Sequence, residues 1–437
     1  MNRRTVGIVA SIALGAWPVS GHGQSSPSSA TPPQSTPVSR VPDWTADAIW
    51  YQVLVPRFAN GAPENDPPYV RPWQGDWGVP DDDDSRPVRT QLFTRAYGGD
   101  LQGLREKLAY LQDLGVNTLY LNPIFSAPSE HKYDTADLRH VDDTLAVAGA
   151  LAGAKSESAD PASWGWTAGD RYFLSFLNDA HARGFRVVLD GVFNHVGCDF
   201  WAFQDVRARG RASAYADWFD IFQWEPGLKY RAWDGENGQL PEFRRAGDGL
   251  HPAVEAHVFA VVRRWMDPNG DGDPRDGIDG WRLDAADKLP PGFCRRLRRV
   301  VKSINPEAVI LGEIWTNARP WLGGDQFDMI TNYRFSDPVV RFLLRGEARW
   351  SASRASDALL AGHDRHPRAM TLAMANLLGS HDTPRVVSML LNPTTYPGTE
   401  VEPVPQRDRL VPTGEEFQRQ RLAVVLQFAW PGAPMCL

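Results

Sequence analysis

The chain alternates short apolar runs with longer segments in which apolar residues recur at helical spacing. The helical segments are 101–114, 172–183, 254–266 and 292–304. The apolar runs are 48–55, 116–121, 186–189, 278–283, 309–311, 329–331, 372–377 and 422–428. Strands that are apolar on both faces and separated by helices predict a parallel sheet covered by helices. Eight such strands can close, so the predicted fold is an α/β (β/α)8 barrel.

Two long segments without regular periodicity interrupt this alternation. Residues 122–169 follow the second predicted strand, and residues 196–250 follow the third. Loops of this length in a compact domain usually carry function, and in such barrels the active site lies at the carboxyl ends of the strands. We expect 196–250 to form an inserted domain that divides the barrel into 43–195 and 251–437.

The amino terminus has the layout of an export signal. Two arginines precede an apolar run that extends from Thr5 to Trp17, and small and polar residues follow to about Gln24. This pattern predicts a signal peptide over 1–24, a Ser/Pro-rich linker over 25–42, and a secreted or periplasmic protein. The apolar run is too short for a permanent transmembrane helix, so no stable membrane anchor is expected.

Composition narrows the class of partner. The net charge is −7 and there is no sustained Lys/Arg run, so nothing favours nucleic acid as a partner. The 17 tryptophans could stack on sugar rings or could pack in the core. Three scattered cysteines do not indicate a disulfide framework or a zinc cluster. A neutral substrate fits this composition better than a polyanion.

Polar side chains directly follow four of the predicted strands. They are Asp190, Asn194 and His195 after the third strand, Arg282 and Asp284 in the fourth, Glu313 after the fifth, and His381 and Asp382 after the seventh. Because parallel strands end on one face of a barrel, these groups should converge in one pocket. A charge load of this kind is costly to bury unless the groups are paired or used.

Two of these carboxyl groups suit the cleavage of a glycosidic bond, which requires one carboxyl group to protonate the leaving oxygen and another to attack. Arg282 lies two residues before Asp284 on the same strand face and should keep Asp284 ionised. Glu313 is flanked by apolar Leu311, Ile314 and Trp315, which should raise its pKa and favour the acid role.

The four stretches resemble, in order, the four signature regions of the α-amylase superfamily of glycoside hydrolases. The resemblance covers roughly residues 43–434. It implies that Asp284 is the nucleophile, Glu313 the acid/base and Asp382 the transition-state stabiliser. It also implies that Arg282, His195 and His381 contact the same sugar. Asp190 and Asn194 are expected to support the site structurally.

Further segments look most like the neopullulanase and cyclomaltodextrinase branch of that superfamily. They are AIWYQ at 48–52, PRFANG at 56–61, HKYDTAD at 131–137 and LPEF at 240–243. This likeness implies that Tyr133 stacks beneath the sugar and that Asp134 is a partner of the arginine. Arg244 stands where the branch usually has Asn, and Asp287 and Lys288 depart from the α-amylase pattern, so preferences away from the cleaved bond cannot be carried over.

The implied function is that of a retaining α-glucoside hydrolase acting on starch-like α-1,4-glucans, maltooligosaccharides or cyclodextrins. A glucanotransferase would have the same site, and a non-catalytic glucan binder is a third reading that the intact carboxylates disfavour. The oligomeric state, the linkage preference, and endo or exo action stay open.

Two segments resemble calcium sites, which use carboxylate, amide and carbonyl oxygens. Asn60, Asn65, Asp66, Gly98 and Asp100 match a Ca²⁺-binding pattern of the neopullulanase branch, except that Ala62 replaces a carboxylate. Residues 267–273 alternate Asp and Asn with small residues, as calcium loops do, but a solvated turn explains them nearly as well.

The carboxyl-terminal segment, 422–434, looks like the eighth barrel strand and the turn after it. In relatives an eighth helix and a C-terminal β-sandwich follow. We therefore expect the sandwich to be missing, apolar surface on strand eight to be uncovered, and the truncated chain to have reduced stability and little activity.

Overall fold

The computed structural model describes residues 40–73, 75, 91, 94–154, 156–346, 349–363, 366–391 and 412–437. The predicted signal peptide, and the predicted linker up to residue 39, lie outside these residues. Within them, no helix is long and apolar enough to cross a bilayer.

Eight parallel strands close into a barrel, as predicted. They are β1 (Trp50–Val53), β2 (Thr118–Leu121), β3 (Arg186–Gly191), β4 (Gly280–Leu283), β5 (Val309–Gly312), β6 (Met329–Asn332), β7 (Ala375–Leu377) and β8 (Ala433–Cys436). Each strand pairs in parallel with its neighbours in sequence, and β1 also pairs with β8. The closure leaves no open sheet edge, so every backbone ladder is satisfied on both sides.

Helices surround the barrel. They are α1 (Leu101–Glu106), α2 (Leu108–Asp113), α3 (Ala168–Ala182), α4 (Trp201–Arg209), α5 (Pro252–Met266), α6 (Pro291–Ile304), α7 (Tyr333–Leu343), α8 (Ala352–His363), α9 (Arg368–Ala373), α10 (Val386–Leu391) and α11 (Gly414–Ala429). The single helix expected over 101–114 is two short helices that meet at Lys107.

Burial explains why these apolar runs form strands. β2, β4 and β5 are buried along their whole length, because one face points into the barrel and the other packs against helices. Trp50 and Trp281 are fully buried, and both belong to one continuous apolar core. The strands therefore form a rigid frame whose carboxyl ends hold the polar residues.

The prediction for the eighth strand was wrong. Residues 422–428 lie in α11, which begins with a capping box between Thr413 and Glu416, and the eighth strand follows at Ala433–Cys436. Gln427 is buried and donates to the carbonyl oxygens of Asn376 (2.7 Å) and Met435 (2.9 Å), which ties the helix to β7 and β8. The exposed apolar side chains are therefore on α11, where Val425 is 60% and Phe428 50% exposed, and not on strand eight.

The seventh strand was predicted too long for a similar reason. Its expected range, 372–377, begins inside α9, and β7 contains only Ala375–Leu377.

The two insertions leave from the carboxyl ends of β2 and β3. The first contains an antiparallel pair, Phe125–Ser126 with Asp137–Val141. The second contains α4 and two further antiparallel pairs, Ile221–Gln223 with Lys229–Tyr230 and Arg245–Ala246 with Gly249–Leu250. Both insertions stand beside the barrel mouth. The division into domains at 195 and 250 stays a prediction.

Candidate active site

A buried arginine forms the centre of the site. Arg282 lies on β4, its side chain is 2% exposed, and its Nη1 atom contacts both oxygens of Asp190 at 2.8 Å and Asp284 Oδ1 at 2.9 Å. Its Nη2 atom lies 3.0 Å from Glu313 Oε2. One guanidinium therefore holds three carboxylates from three strand ends, and the predicted convergence on one face of the barrel is observed.

Asp190 is the structural support that was expected, and tyrosines complete its coordination. The hydroxyl groups of Tyr120 and Tyr133 donate to Asp190 Oδ2 at 2.6 and 2.8 Å. Asp190 is fully buried, and four contacts from three donor groups, two of them from Arg282 Nη1, compensate its desolvation. The sequence did not single out Tyr120, although a polar tip within an apolar strand was the available signal.

The surroundings of Glu313 differ from the apolar setting that we expected. Oε2 accepts a hydrogen bond from the backbone N–H of Ala285 at 2.9 Å in addition to Arg282, and Oε1 accepts one from Trp315 Nε1 at 3.1 Å. Ile314 points away into the core. Polar donors thus orient both oxygens, and Trp315 is a hydrogen-bond donor as well as an apolar neighbour.

Burial and crowding dominate the electrostatics of Asp284. Burial raises the pKa of Asp284 well above its ordinary value, and the neighbouring carboxylates of Glu313, Asp190 and Asp382 raise it further. Arg282 lowers this pKa but does not outweigh the other effects. The expectation that Arg282 would keep Asp284 ionised does not agree with this direction, because burial outweighs a guanidinium that Asp284 also shares with Asp190 and Glu313.

His195 is neutral and has a nitrogen without a hydrogen-bond partner among the described residues beside Asp284. Burial lowers its pKa to about 3. Nε2 lies 4.0 Å from Asp284 Oδ2 and, among the residues described, has no hydrogen-bond partner. The ring stacks beneath Trp233 at 5.7 Å between centroids, and this tryptophan is 42% exposed. The unused Nε2 can therefore form a hydrogen bond to a ligand next to Asp284.

His381 and Asp382 form the opposite side of the pocket. Gln52 Nε2 lies 2.7 Å from His381 Nδ1, which makes Nδ1 an acceptor and leaves the proton on Nε2. Nε2 lies 3.2 Å from Asp382 Oδ2. Burial lowers the pKa of His381 to about 4 and raises the pKa of Asp382 to about 6. A neutral imidazole therefore lies next to a carboxyl group whose pKa is raised to about 6.

Tyr133 and Asp134 are adjacent in sequence but contact different groups. The Tyr133 ring is parallel to the His381 ring within 3°, with centroids 5.2 Å apart, and it closes the floor of the pocket. Asp134 was expected to pair with the arginine, but its carboxylate instead accepts a hydrogen bond from Ser129 Oγ. It lies at the base of the 122–169 insertion, so proximity in sequence to Tyr133 did not predict its partner.

Several residues that the sequence analysis did not single out complete the site. They are Gln52 on β1, Asn122 after β2, Trp233 in the second insertion and Tyr333 after β6. Asn122 joins Gln52 (3.0 Å) to the Tyr133 hydroxyl (2.7 Å). Tyr333 stacks on Trp315 with ring centroids 3.7 Å apart and donates to Ser380 Oγ at 3.0 Å. Gln52 and Asn122 thus link the ends of β1 and β2, and Tyr333 links the end of β6 to the residues after β7.

The residues of the first calcium pattern lie together. An ideal Cβ built on Gly98 would lie 2.4 Å from both Asn60 Nδ2 and Asp66 Oδ1. Asn65 Oδ1 is buried and accepts no hydrogen bond from the described part of the chain, which leaves an amide oxygen free for a cation. Asp100 differs, since it caps α1 and accepts backbone N–H groups of Gly61, Ala62 and Gly103.

In the second calcium pattern, side-chain oxygens accept hydrogen bonds from backbone N–H groups of the same segment. Asn269 Oδ1 accepts the N–H of Asp271 at 2.8 Å, and Asp271 Oδ1 accepts that of Asp273 at 2.7 Å. Across the described ranges, no group of three or more His, Cys, Asp or Glu side chains is arranged to hold a metal ion. Asp267 Oδ1 and Asp276 Oδ1 are buried without a hydrogen-bond partner among the described residues, so a calcium loop and a solvated turn both stay open for 267–273.

Comparison with known proteins gives a consistent result. The family model for the α-amylase catalytic domain matches residues 52–151 and 168–400. Neopullulanase 2 from Thermoactinomyces vulgaris is 36% identical over 403 residues, covering 91% of this chain and 57% of that protein. Cyclomaltodextrinase from Geobacillus thermopakistaniensis is 39% identical over 355 residues, covering 80% and 52%. The chain thus spans about half the length of these curated relatives.

A solved structure agrees with these matches. The cyclic α-maltosyl-(1→6)-maltose hydrolase from Arthrobacter globiformis, in complex with maltose, superposes with a TM-score of 0.70 at 32% identity. The alignment covers 90% of this chain and 74% of that one.

Proposed function

Because the chain belongs to the α-amylase family of glycoside hydrolases, we propose that it cleaves α-glucosidic bonds with retention of configuration. The proposed substrates are starch-like α-1,4-glucans, maltooligosaccharides or cyclodextrins. The observation that carries this proposal is the single guanidinium of Arg282 that holds Asp284 and Glu313 side by side.

In this mechanism Glu313 protonates the leaving oxygen while Asp284 attacks the anomeric carbon and forms a glycosyl ester. Glu313 then takes a proton from water, which hydrolyses the ester. The backbone N–H of Ala285 and the indole of Trp315 hold Glu313 in place during both steps. Arg282 disperses the negative charge that moves between the two carboxyl groups.

The remaining residues bind the sugar next to the cleaved bond. His195 Nε2 and His381 Nε2 are proposed to donate to its hydroxyl groups, and Tyr133 to lie beneath the ring. Asp382 is proposed to accept hydroxyl hydrogen bonds that strengthen as the ring distorts. Trp233, exposed above His195, is placed to stack on a sugar beyond this position.

Product analysis tests this proposal. We expect the chain to release reducing sugar from maltotriose, soluble starch or β-cyclodextrin, and proton NMR of early time points to show the α-anomer first. An initial β-anomer would contradict the retaining mechanism. Products longer than the maltotriose supplied would instead favour the glucanotransferase, and binding without turnover would favour the glucan binder.

We also propose that Asn60, Asn65, Asp66 and the carbonyl oxygen of Gly98 bind Ca²⁺, with Asp100 fixing the loop that carries them. The free Asn65 oxygen and the closeness of Asn60 and Asp66 to Gly98 support this site. Such an ion would be structural, since these residues lie before α1 and outside the carboxylate cluster.

Calcium should therefore raise the thermal stability of the protein. At a concentration 100 times Kd, binding to the folded state adds about 2.7 kcal/mol to the free energy of unfolding. Differential scanning fluorimetry with Ca²⁺ and with chelator measures the shift in Tm. Asp66→Ala should abolish the shift, whereas the matched change Asp271→Ala should preserve it. An equal calcium response in Asp66→Ala would exclude this site.

Export to the periplasm or the medium remains a proposal based on residues 1–24 alone. Edman sequencing of the protein recovered from those fractions tests it, since cleavage near residue 24 is expected. Recovery of the uncleaved chain from the cytoplasm would contradict it.

A further inference from the structure

Lys132 has a backbone conformation that its residue type rarely adopts. Its φ is +64°, in the left-handed region, where a side chain with a Cβ costs free energy. It stands between His131 and Tyr133 at the edge of the pocket. Strain of this kind persists only where the surrounding structure enforces it, and it often occurs at functional sites.

Contacts of the Lys132 side chain hold its backbone in this conformation. It is 3% exposed, and Nζ lies 3.0 Å from Asp142 Oδ1, 3.2 Å from Thr144 Oγ1 and 3.3 Å from the carbonyl oxygen of Ala127. These three acceptors match the three donors of an ammonium group. A buried ammonium is stable only when it is paired, so this arrangement fixes where the Lys132 backbone lies.

Asp142 is itself held in place. Its Oδ2 atom accepts the backbone N–H of Ala127 at 2.9 Å, and its Oδ1 atom accepts that of Thr144 at 2.9 Å. The Lys132 N–H donates to Ser129 Oγ at 3.1 Å. The pair therefore anchors the turn 127–132 to the strand that ends at Val141.

Tyr133, directly after Lys132, contacts the carboxylate cluster, and His131, directly before it, contacts Tyr133. Tyr133 donates its hydroxyl to Asp190 at 2.8 Å, and its backbone N–H donates to His131 Nδ1 at 3.1 Å. The His131 and Tyr133 rings stack at 6.0 Å between centroids. Because Lys132 has a left-handed backbone conformation, the chain turns sharply between His131 and Tyr133, and their two rings stack on each other.

We propose that the buried Lys132–Asp142 ion pair positions Tyr133, and with it His131, for sugar binding. Lys132 is a positioning residue in this role, because it acts on the substrate only through the ring that follows it. The inference rests on the proposed function, since it assigns a role within the same sugar-binding pocket.

A double-mutant cycle tests the coupling. Lys132→Met keeps most of the length of the side chain and removes its charge. Tyr133→Ala removes the ring that is proposed to lie beneath the sugar. We expect Lys132→Met to lower kcat/KM on maltotriose between about 10-fold and 100-fold through misplacement of the ring. In the Tyr133→Ala background the same change should cost little more, because the group it positions is gone.

Lys302 offers a matched control. Its Nζ lies 3.0 Å from Asp328 Oδ2 in another buried pair, which joins α6 to the residue before β6. Lys302→Met should lower Tm and leave kcat/KM unchanged. If Lys132→Met does not fold, the double change Lys132→Met/Asp142→Asn removes both charges and leaves no unpaired buried ion, and the cycle is repeated with it.

The outcomes separate the two proposals. Multiplicative losses in the cycle, or a lower Tm with unchanged kcat/KM in Lys132→Met, would overturn the positioning role. A wild-type chain that binds and cleaves no glucan would overturn the proposed function and this inference with it. An active wild type with coupled losses supports both.

Discussion

Asp284→Asn is expected to lower kcat on maltotriose by roughly 10³-fold or more, the scale seen when a catalytic nucleophile is removed. The amide cannot form the glycosyl ester, although it keeps the size of the carboxylate and can still accept from Arg282 Nη1. Initial rates of reducing-sugar release measure the effect. A residual kcat within tenfold of the wild type would exclude Asp284 as the nucleophile.

Unlike its kcat, the thermal stability of Asp284→Asn should not fall. Burial and three acidic neighbours raise the pKa of Asp284, so its ionised form is destabilised in the folded protein at neutral pH. Asparagine removes that charge, and Tm should stay equal or rise, as is common when active-site groups are replaced. A variant that loses activity because it unfolds would show a lower Tm instead.

Asp325→Asn is the matched control. Asp325 is 49% exposed on its side chain and pairs with Arg295 at 2.6 Å. Surface pairs contribute little to stability, so kcat, KM and Tm should all remain near wild type.

The sequence predicted the barrel because its strands are buried on both faces. β2, β4 and β5 read as apolar runs that end in polar residues, and the structure confirms both their type and their place. The carboxylates could be located for the same reason, because parallel strands deliver their last residues to one face. Ordered motifs then predicted which strand ends carry the functional residues.

The eighth strand shows where this reasoning fails. β8 contains Pro434 and only four residues, and its identity depends on pairing with β1 and β7. The stretch 422–428 is richer in β-branched and apolar residues, yet a capping box at Thr413 starts a helix through it. Local propensity thus favoured the wrong segment, and tertiary context decided.

The rim of the site was hidden for a related reason. Gln52 and Asn122 are polar residues in or just after apolar runs, and only the folded barrel shows that they face His381. Trp233 and Tyr333 come from an insertion and from the start of a helix. Their contacts depend on loop geometry, which residue spacing does not encode.

Arg282→Met should have the largest effect on stability. The substitution leaves Asp190, Asp284 and Glu313 buried without their shared cation, and breaking a buried pair in this way costs about 3–5 kcal/mol of the free energy of unfolding. Losing the group that is proposed to disperse charge between Asp284 and Glu313 should also lower kcat/KM by roughly 10²–10³-fold. Chemical denaturation and initial rates measure the two effects.

The stability loss in Arg282→Met should depend on pH in a defined direction. Arg282 lowers the pKa of Asp284 in the wild type, so its removal raises that pKa further above the value in the unfolded chain. The folded state then binds more protons than the unfolded state above about pH 4, so its stability falls as pH rises. Wild type loses stability in the same way until the pH reaches its own folded-state pKa for Asp284, so the deficit of Arg282→Met relative to wild type should widen only above that pKa. Arg298→Met is the matched control, because Arg298 is equally buried and contacts Asp328 at 2.8 Å away from the carboxylate cluster. It should lower stability while preserving kcat/KM, and an equal loss of kcat/KM there would mean that the Arg282 effect reports damage to the barrel and not its role at the site.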